Sequence, residues 1–140
     1  MRISLGYPDR AAERELLRGA DRREMLDALP AMLAPHELVE LQQRVQQVHA
    51  AEPLLNYLQD LMAATRSGRW FLKGLSPRAG IAIMRAARAQ AFLSGRDYVA
   101  PDDIAAILPQ TAAHRLIPVG SAGRGAIGQV RAMLDATPLP

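Results

Sequence analysis

The chain has 140 residues, of which 49% are hydrophobic and 22% are charged, a balance typical of a globular domain with a buried core. Aromatic residues make up only 4%, and because aromatic and β-branched residues mark strands, this composition favours packed helices. The sequence contains no cysteine, which excludes disulfides and thiolate metal sites.

The sequence shows no sign of export or of membrane insertion. Its first ten residues, MRISLGYPDR, lack the apolar segment of a signal peptide. No run of about 18 apolar residues occurs that could cross a bilayer. We therefore expect a cytoplasmic protein that has no membrane partner.

The net charge of +3 is unevenly distributed along the chain. Between Ala63 and Arg96 there is no acidic residue, while seven basic residues fall in that segment. They are Arg66, Arg69, Lys73, Arg78, Arg85, Arg88 and Arg96. This run predicts a positive field that attracts an anionic ligand. The alternative is a solvated surface whose arginines pair with acids elsewhere in the fold.

Helix-start and helix-stop signals organise the first third of the chain. Asp9 is placed to cap a short helix over Arg10–Arg18, and Asp21 to start another short piece that runs to about Leu29. Pro35 then opens a longer helix with one apolar stripe, formed by Leu38, Leu41, Val45 and Val48. We expect this stripe to lie in the core; docking of a partner helix is the alternative.

Two further helices follow, each with an apolar face at helical spacing. Pro53 opens the first, which ends near Gly68, and its inner face consists of Leu54, Leu58, Leu61, Met62 and Thr65, with Tyr57 nearby. Ser76 caps the second, an alanine-rich helix that extends to about Leu93. Between them, Trp70 and Phe71 anchor a loop.

The last third predicts a small strand contact and two helices. Tyr98 and Val99 are expected to pair with the segment near Val48 and His49, while Arg96 and Asp97 brace the turn. Pro101 starts a helix to about Arg115, whose inward residues are Ile104, Ile107, Leu108 and Thr111. A short helix over 126–134 closes the chain. The sequence therefore predicts an all-α bundle of about five main helices with one tiny two-stranded β contact.

The stretch GLSPRAG, Gly74–Gly80, places a cation where a helix disfavours it. Ser76 and Pro77 are the expected cap and first residue, and Arg78 follows, although a cation at a helix start costs roughly 0.3–1 kcal/mol. The free N–H groups of a first turn, together with a guanidinium fork, would form an anion site. The alternative is an exposed arginine that is tolerated at small cost.

The usual signatures of catalysis are missing from this sequence. The glycine-rich stretch GSAGRGAIG, at 120–128, lacks the lysine of a phosphate-binding loop and follows no predicted strand. His36, His49 and His114 fall on separate elements without metal-ligand spacing, so no metal site is expected. No nucleophile stands beside a base. We expect the chain alone not to be an enzyme.

Several motifs occur together in the order found in one family. They are RISLGYPD at 2–9, YLQDLMAATR at 57–66, GLSPRA at 74–79, AARAQAFLSGRDYVAPDDI at 86–104, HRL at 114–116 and ATPLP at 136–140. In this combination, which covers nearly the whole chain, the sequence resembles the C-terminal helical lid of the MoxR family of AAA+ ATPases.

The resemblance implies a lid separated from a larger α/β ATPase domain. That domain would carry the Walker A and Walker B motifs and bind ATP and Mg²⁺, so the parent protein is expected to be an ATP hydrolase, while the chain by itself binds no cofactor. Residues 1–8 would be a remnant of the last strand and linker of that domain. Residues 9–118 would form the lid, and 119–140 a glycine-rich connection with a C-terminal helix.

The resemblance also assigns roles to residues of the GLSPRAG stretch. Arg78 is similar to the sensor 2 arginine, which reaches the γ-phosphate of ATP held by the larger domain. By proximity, Pro77, Ser76 and Ile81 would pack near the adenine. The family further implies a ring of subunits, expected to be a hexamer, that remodels other proteins, often with a von Willebrand factor A domain partner.

A different function remains as the alternative. The basic segment over 63–96 could lie on the phosphate backbone of a nucleic acid, as in a free-standing basic helical domain. Against this hypothesis, the arginines share no single helical face, and no aromatic residues alternate with them for base stacking.

Overall fold

A computed structural model describes residues 1–19, 26, 28–120 and 125–140, and its regular structure is almost entirely helical. Within these residues there are six α-helices: α1 (Arg10–Arg18), α2 (Pro35–Gln47), α3 (Glu52–Arg66), α4 (Pro77–Leu93), α5 (Pro101–Ala112) and α6 (Gly125–Ala136). A 3₁₀ turn, Ala113–Arg115, continues α5. The predicted all-α class is confirmed. The predicted short helix from Asp21 to Leu29 falls largely outside the described residues, as does the glycine-rich stretch at 121–124.

Local sequence signals set the helix starts. The carboxylate of Asp9 accepts a hydrogen bond from the backbone N–H of Ala12 at 2.8 Å and caps α1, as predicted. A proline occupies the first or second position of each helix from α2 to α5. In α2 the carboxylate of Glu37 reaches back to the N–H of Ala34 at 2.6 Å. These signals depend only on neighbouring residues, which explains why the sequence predicted them.

The core lies where α3, α4, α5 and α6 meet. The predicted inner faces of α3 and α5 are buried along their length. In α4 the buried positions are Ala79, Ile83, Ala87 and Ala91, which repeat every four residues. Three of these four are alanines, so α4 and α5 can approach closely and share the most extensive contact of the bundle. Val130 and Met133 of α6 close the core from the other side.

Helix α2 is less buried than its apolar stripe predicted. Val48, just after the helix, is 4% exposed, and Leu41 and Val45 are partly buried, but Leu38 is 50% exposed. The prediction that all four residues lie in the core is therefore wrong for Leu38. The physical reason is that α2 packs on α4, and no other described helix contacts it.

The predicted strand contact is present as a single parallel bridge between His49 and Tyr98. The N–H of His49 donates to the carbonyl of Asp97 at 2.7 Å, and the N–H of Val99 donates to the carbonyl of His49 at 2.9 Å. A second, antiparallel bridge joins Phe71 to Pro118, and no pattern in either segment predicts it.

Residues 1–8 form no regular secondary structure, and they are exposed. The backbone N–H of Arg2 donates to the carbonyl of Gln110 in α5 at 2.7 Å. The assignment of this segment to the end of a neighbouring domain stays a prediction. Among the described helices, none has both the length and the apolar content that a membrane span requires.

An ion pair fixes the turn between α4 and α5. The guanidinium of Arg96 donates to both carboxylate oxygens of Asp103, at 2.7 and 2.5 Å, and Asp103 is only 3% exposed. Arg96 does brace this turn, as predicted, but its partner is Asp103, while Asp97 contributes its backbone carbonyl. The hydrogen bonds from Arg96, and then that from the N–H of Ala100, lower the pKa of Asp103 against the opposing effect of burial.

We predict that Asp103→Asn lowers the melting temperature at pH 7 by about 5 °C, because the paired Arg96 then lacks its carboxylate. A lowered carboxyl pKa stabilises the fold above the unfolded pKa of about 3.9, and this contribution is lost as the pH falls through the folded pKa. The gap in melting temperature between the original chain and the variant should therefore narrow below about pH 4. Thermal unfolding followed by circular dichroism across this range checks the prediction. A gap that persists unchanged in acid would contradict it.

Candidate functional site

The GLSPRAG stretch is anchored to the C-terminal end of α3. The hydroxyl of Thr65 accepts a hydrogen bond from the N–H of Leu75 at 3.1 Å, and Nε of Arg66 donates to the carbonyl of Leu75 at 2.9 Å. Both backbone groups of Leu75 are thus bound by α3, and its side chain is buried. Gly74 passes so close that a Cβ built on it would lie 2.8 Å from the Cα of Arg66. This clasp fixes the residue just before the cap of α4.

The loop before Gly74 is held from the opposite side. The carbonyl of Trp70 accepts from the N–H of Val119 at 3.0 Å and from the side-chain amide of Gln129 at 3.3 Å. Phe71 is 1% exposed, and the guanidinium of Arg69 stacks over the ring of Trp70 at 4.8 Å. The predicted aromatic anchor of this loop is therefore confirmed, with Phe71 as its buried part.

The start of α4 has the predicted cap, but few free amides remain there. The hydroxyl of Ser76 accepts from the N–H of Ala79 at 3.3 Å, and Pro77 has no N–H to offer. Within the described chain, the backbone N–H of Arg78 has no acceptor. An anion at this helix end would therefore depend mainly on the guanidinium of Arg78 and only secondarily on backbone donors.

Arg78 itself is exposed, and its charge is not compensated by any residue that the structure describes. No carboxylate among the described residues lies within ion-pair distance of its guanidinium, and the first turn of α4 contains no acid. The side chain is therefore available at the surface and is not locked inside the bundle.

Other arginines of the basic run are used by the fold. Arg66 binds the carbonyl of Leu75, Arg69 stacks on Trp70, and Arg96 pairs with Asp103. Three of the seven basic residues therefore have internal roles and lie on different elements. This arrangement offers no continuous row of free cations for a nucleic-acid backbone.

An open groove runs beside the start of α4, between that helix and α3, with a volume of about 570 Å³. Its walls are Leu55, Leu58, Gln59, Met62 and Arg66 from α3, and Pro77, Gly80, Ile81 and Met84 from α4. Of the four predicted site residues, Pro77 and Ile81 line this groove, and Ile81 is 57% exposed. Ser76 and Arg78 belong to the same turn of chain but lie outside its lining.

Sequence reasoning missed the α3 wall of the groove. Residues 55, 59 and 66 follow a helical spacing that marks one face of α3, next to Leu58 and Met62 of the face assigned to the core. That spacing was a usable signal, but only the packing of α3 against α4 shows that this face borders Pro77.

The described residues contain no group of three or more histidine, aspartate or glutamate side chains that could hold a metal ion. The groups that could bind a ligand here are therefore the exposed guanidinium of Arg78, the apolar groove and the capped start of α4. Such an arrangement can bind an anionic molecule that also has an apolar or aromatic part.

This chain is similar in sequence to one known domain family and to several bacterial proteins. The AAA lid domain family matches residues 63–133, which include the clasp, Arg78, helices α4 and α5, and most of α6. The chain is 34% identical to the uncharacterized protein YeaC of Bacillus subtilis over 116 residues, which is 83% of this chain and 36% of that protein. It is 31% identical to chaperone MoxR1 of Mycobacterium tuberculosis over 129 residues, again 83% of this chain and 33% of that protein.

A solved structure has the same arrangement of helices. The crystal structure of "a putative ATPase" from Cytophaga hutchinsonii superposes with a TM-score of 0.80 at 27% sequence identity, covering 100% of this chain and 46% of that one. The chain thus spans about a third of the length of these two relatives and less than half of the solved structure.

We predict opposite effects from adding one methyl group at two glycines near the site. Gly74→Ala should destabilise the chain by about 1–3 kcal/mol, because its Cβ collides with the backbone of Arg66. Gly80→Ala, the matched control inside α4, places its Cβ 3.4 Å from the end of the Met62 side chain and should stabilise the chain by about 0.5–1 kcal/mol. Urea unfolding measures both. Equal effects of the two substitutions would show that the clasp is not tight.

Proposed function

We propose, since the chain belongs to the AAA lid domain family, that it is the lid of a MoxR-type ATPase and that Arg78 senses the nucleotide bound by that enzyme. The resemblance to the MoxR family is confirmed by relatives that carry this name. The observation that carries the proposal is the exposed guanidinium of Arg78, which no described carboxylate pairs with, at a helix start anchored to α3.

The proposed ligand is ATP with Mg²⁺, held by an α/β ATPase domain of the parent protein. The terminal phosphate would face Arg78, whose planar fork can bind two phosphate oxygens at once. The base would lie against the apolar groove, where Pro77 and Ile81 offer contact area. Ser76 would act indirectly, because its hydroxyl caps α4 and holds the first turn in place.

The contribution of Arg78 to turnover would be electrostatic. Transfer of a phosphoryl group spreads negative charge over the oxygens of the γ-phosphate, and a preorganised guanidinium stabilises that charge. Because Arg78 stands on a separate domain, its contact with phosphate would also favour the closed arrangement of lid and ATPase domain. Because the clasp at Leu75 fixes the start of α4, the Arg78 side chain has fewer conformations to lose when it contacts the phosphate.

Further properties of the parent follow from the same family and stand as proposals. They are assembly into a ring, expected to be hexameric, cooperation with a von Willebrand factor A domain protein, and remodelling of client proteins in the cytoplasm. The relative from Mycobacterium tuberculosis is named a chaperone, which supports the last of these. The 140-residue chain alone is proposed to have no ATPase activity, because a hydrolytic centre is expected only in the larger domain.

We predict that Arg78→Ala in the full-length protein lowers ATP turnover by about a hundredfold, since a preorganised charge on the transferred group is lost. Arg78→Lys should retain part of the activity, because the charge remains but the fork does not. Arg131→Ala, at an exposed arginine of α6, is the matched control and should behave as the unmodified protein. Steady-state phosphate release measures all three. Unchanged turnover in Arg78→Ala would refute the assignment.

A further inference from the structure

A second group of arginines lies on α4, away from the nucleotide groove. Arg85 and Arg88 stand one turn apart on the same side of the helix, next to Val45 and Gln46 of α2. The four residues line a hollow of about 250 Å³. Neither arginine takes part in the site proposed above, and neither belongs to the motif that predicted it.

These two guanidinium groups are poorly satisfied within the described chain. Arg88 donates through Nη1 to the carbonyl of Gln46 at a long 3.4 Å, and its buried Nε has no acceptor among the described residues. Arg85 is exposed, and no described carboxylate pairs with either residue. Two like charges at this spacing repel each other, so the isolated fold gains little from placing both here.

The surroundings extend this pair into a mixed basic and apolar surface. On one side, the guanidinium of Arg44 stacks over the ring of Phe92 at 5.0 Å. On the other side, Ala82 is exposed on the preceding turn of α4. We call Arg44, Arg85 and Arg88 the basic strip.

The geometry disfavours a free phosphate as the ligand of the basic strip. Phosphate sites of helices use free backbone N–H groups at a helix start, whereas Arg85 and Arg88 lie in the interior of α4. A phosphate bound at the hollow would therefore have no backbone amide donors.

The same geometry suits the carboxylates of a protein surface. Guanidinium forks bind aspartate and glutamate in a bidentate manner, and arginine together with exposed apolar residues is typical of protein interfaces. A nucleic acid fits less well, because the one aromatic ring at the strip is half-buried beneath Arg44 and offers no free face for a base.

We propose that the basic strip is a docking surface for an acidic face of a partner protein. The carboxylates of the partner would supply the acceptors that Arg85 and Arg88 lack among the described residues, and Ala82 would provide apolar contact beside them. The surface is distinct from the Arg78 site, so the proposal does not depend on nucleotide sensing.

The test uses the complete 140-residue chain and a fluorescent oligoglutamate peptide as the probe. We expect saturable binding that weakens about tenfold in the double variant Arg85→Ala/Arg88→Ala. Arg131→Ala is the control, since it removes an exposed arginine of α6 outside the strip, and this variant should bind the probe as the unmodified chain does. Binding should also weaken as the salt concentration rises.

Two competitors decide between ligand classes. Inorganic phosphate at the same charge concentration, and a short DNA duplex, should each displace the peptide poorly. Equal binding by the double variant and the unmodified chain would overturn the proposal, as would an equal loss in Arg131→Ala, which would indicate attraction by total charge alone. Tighter binding of the duplex than of the peptide would also overturn it, in favour of nucleic acid. If the protein binds the peptide but Arg78 proves to have no role in nucleotide sensing, the docking surface stands and only the function proposed above fails.

Discussion

The hydrogen bonds that join Leu75 to the end of α3 are the constraint on which the proposed site depends. Thr65 and Arg66 bind both backbone groups of Leu75, and the close approach of Gly74 leaves no room for a side chain. Because the next residue caps α4, this clasp sets the position and direction of the helix start. A guanidinium on the first turn is thereby presented from a fixed base, which is what recognition of a phosphate group requires.

The basic run of the sequence divides into arginines that hold the fold and arginines that the fold leaves available. Arg66 and Arg96 illustrate the first kind, since each makes specific hydrogen bonds to a carbonyl or a carboxylate of the same chain. Arg78 and Arg85 illustrate the second, because both are exposed and unpaired within the described residues. Charge counting along a sequence cannot separate these kinds, whereas burial and partners can. The available arginines occur at two places on α4, which points to two ligands of different chemistry.

Much of the fold could be predicted because its signals are local. The cap at Ser76 and the inner face of α3 each depend on residues within a few positions of one another, and both were predicted correctly. The errors arose where distant segments decide the outcome. Leu38 has the spacing of a core residue, but α2 contacts only α4, and the bridge between Phe71 and Pro118 has no signature in either segment. The α3 wall of the groove was missed for the same reason, since it becomes a wall only when α4 packs beside it.

The central claim is that Arg78 contacts the terminal phosphate of a nucleotide held by another domain. The most direct measurement is a crystal structure of the full-length protein with Mg²⁺ and a non-hydrolysable ATP analogue. We expect a guanidinium nitrogen of Arg78 to lie within about 3 Å of a γ-phosphate oxygen, with the capped start of α4 unchanged. A side chain that instead pairs with a carboxylate, or points into solvent while the γ-phosphate is bound by other groups, would contradict the account.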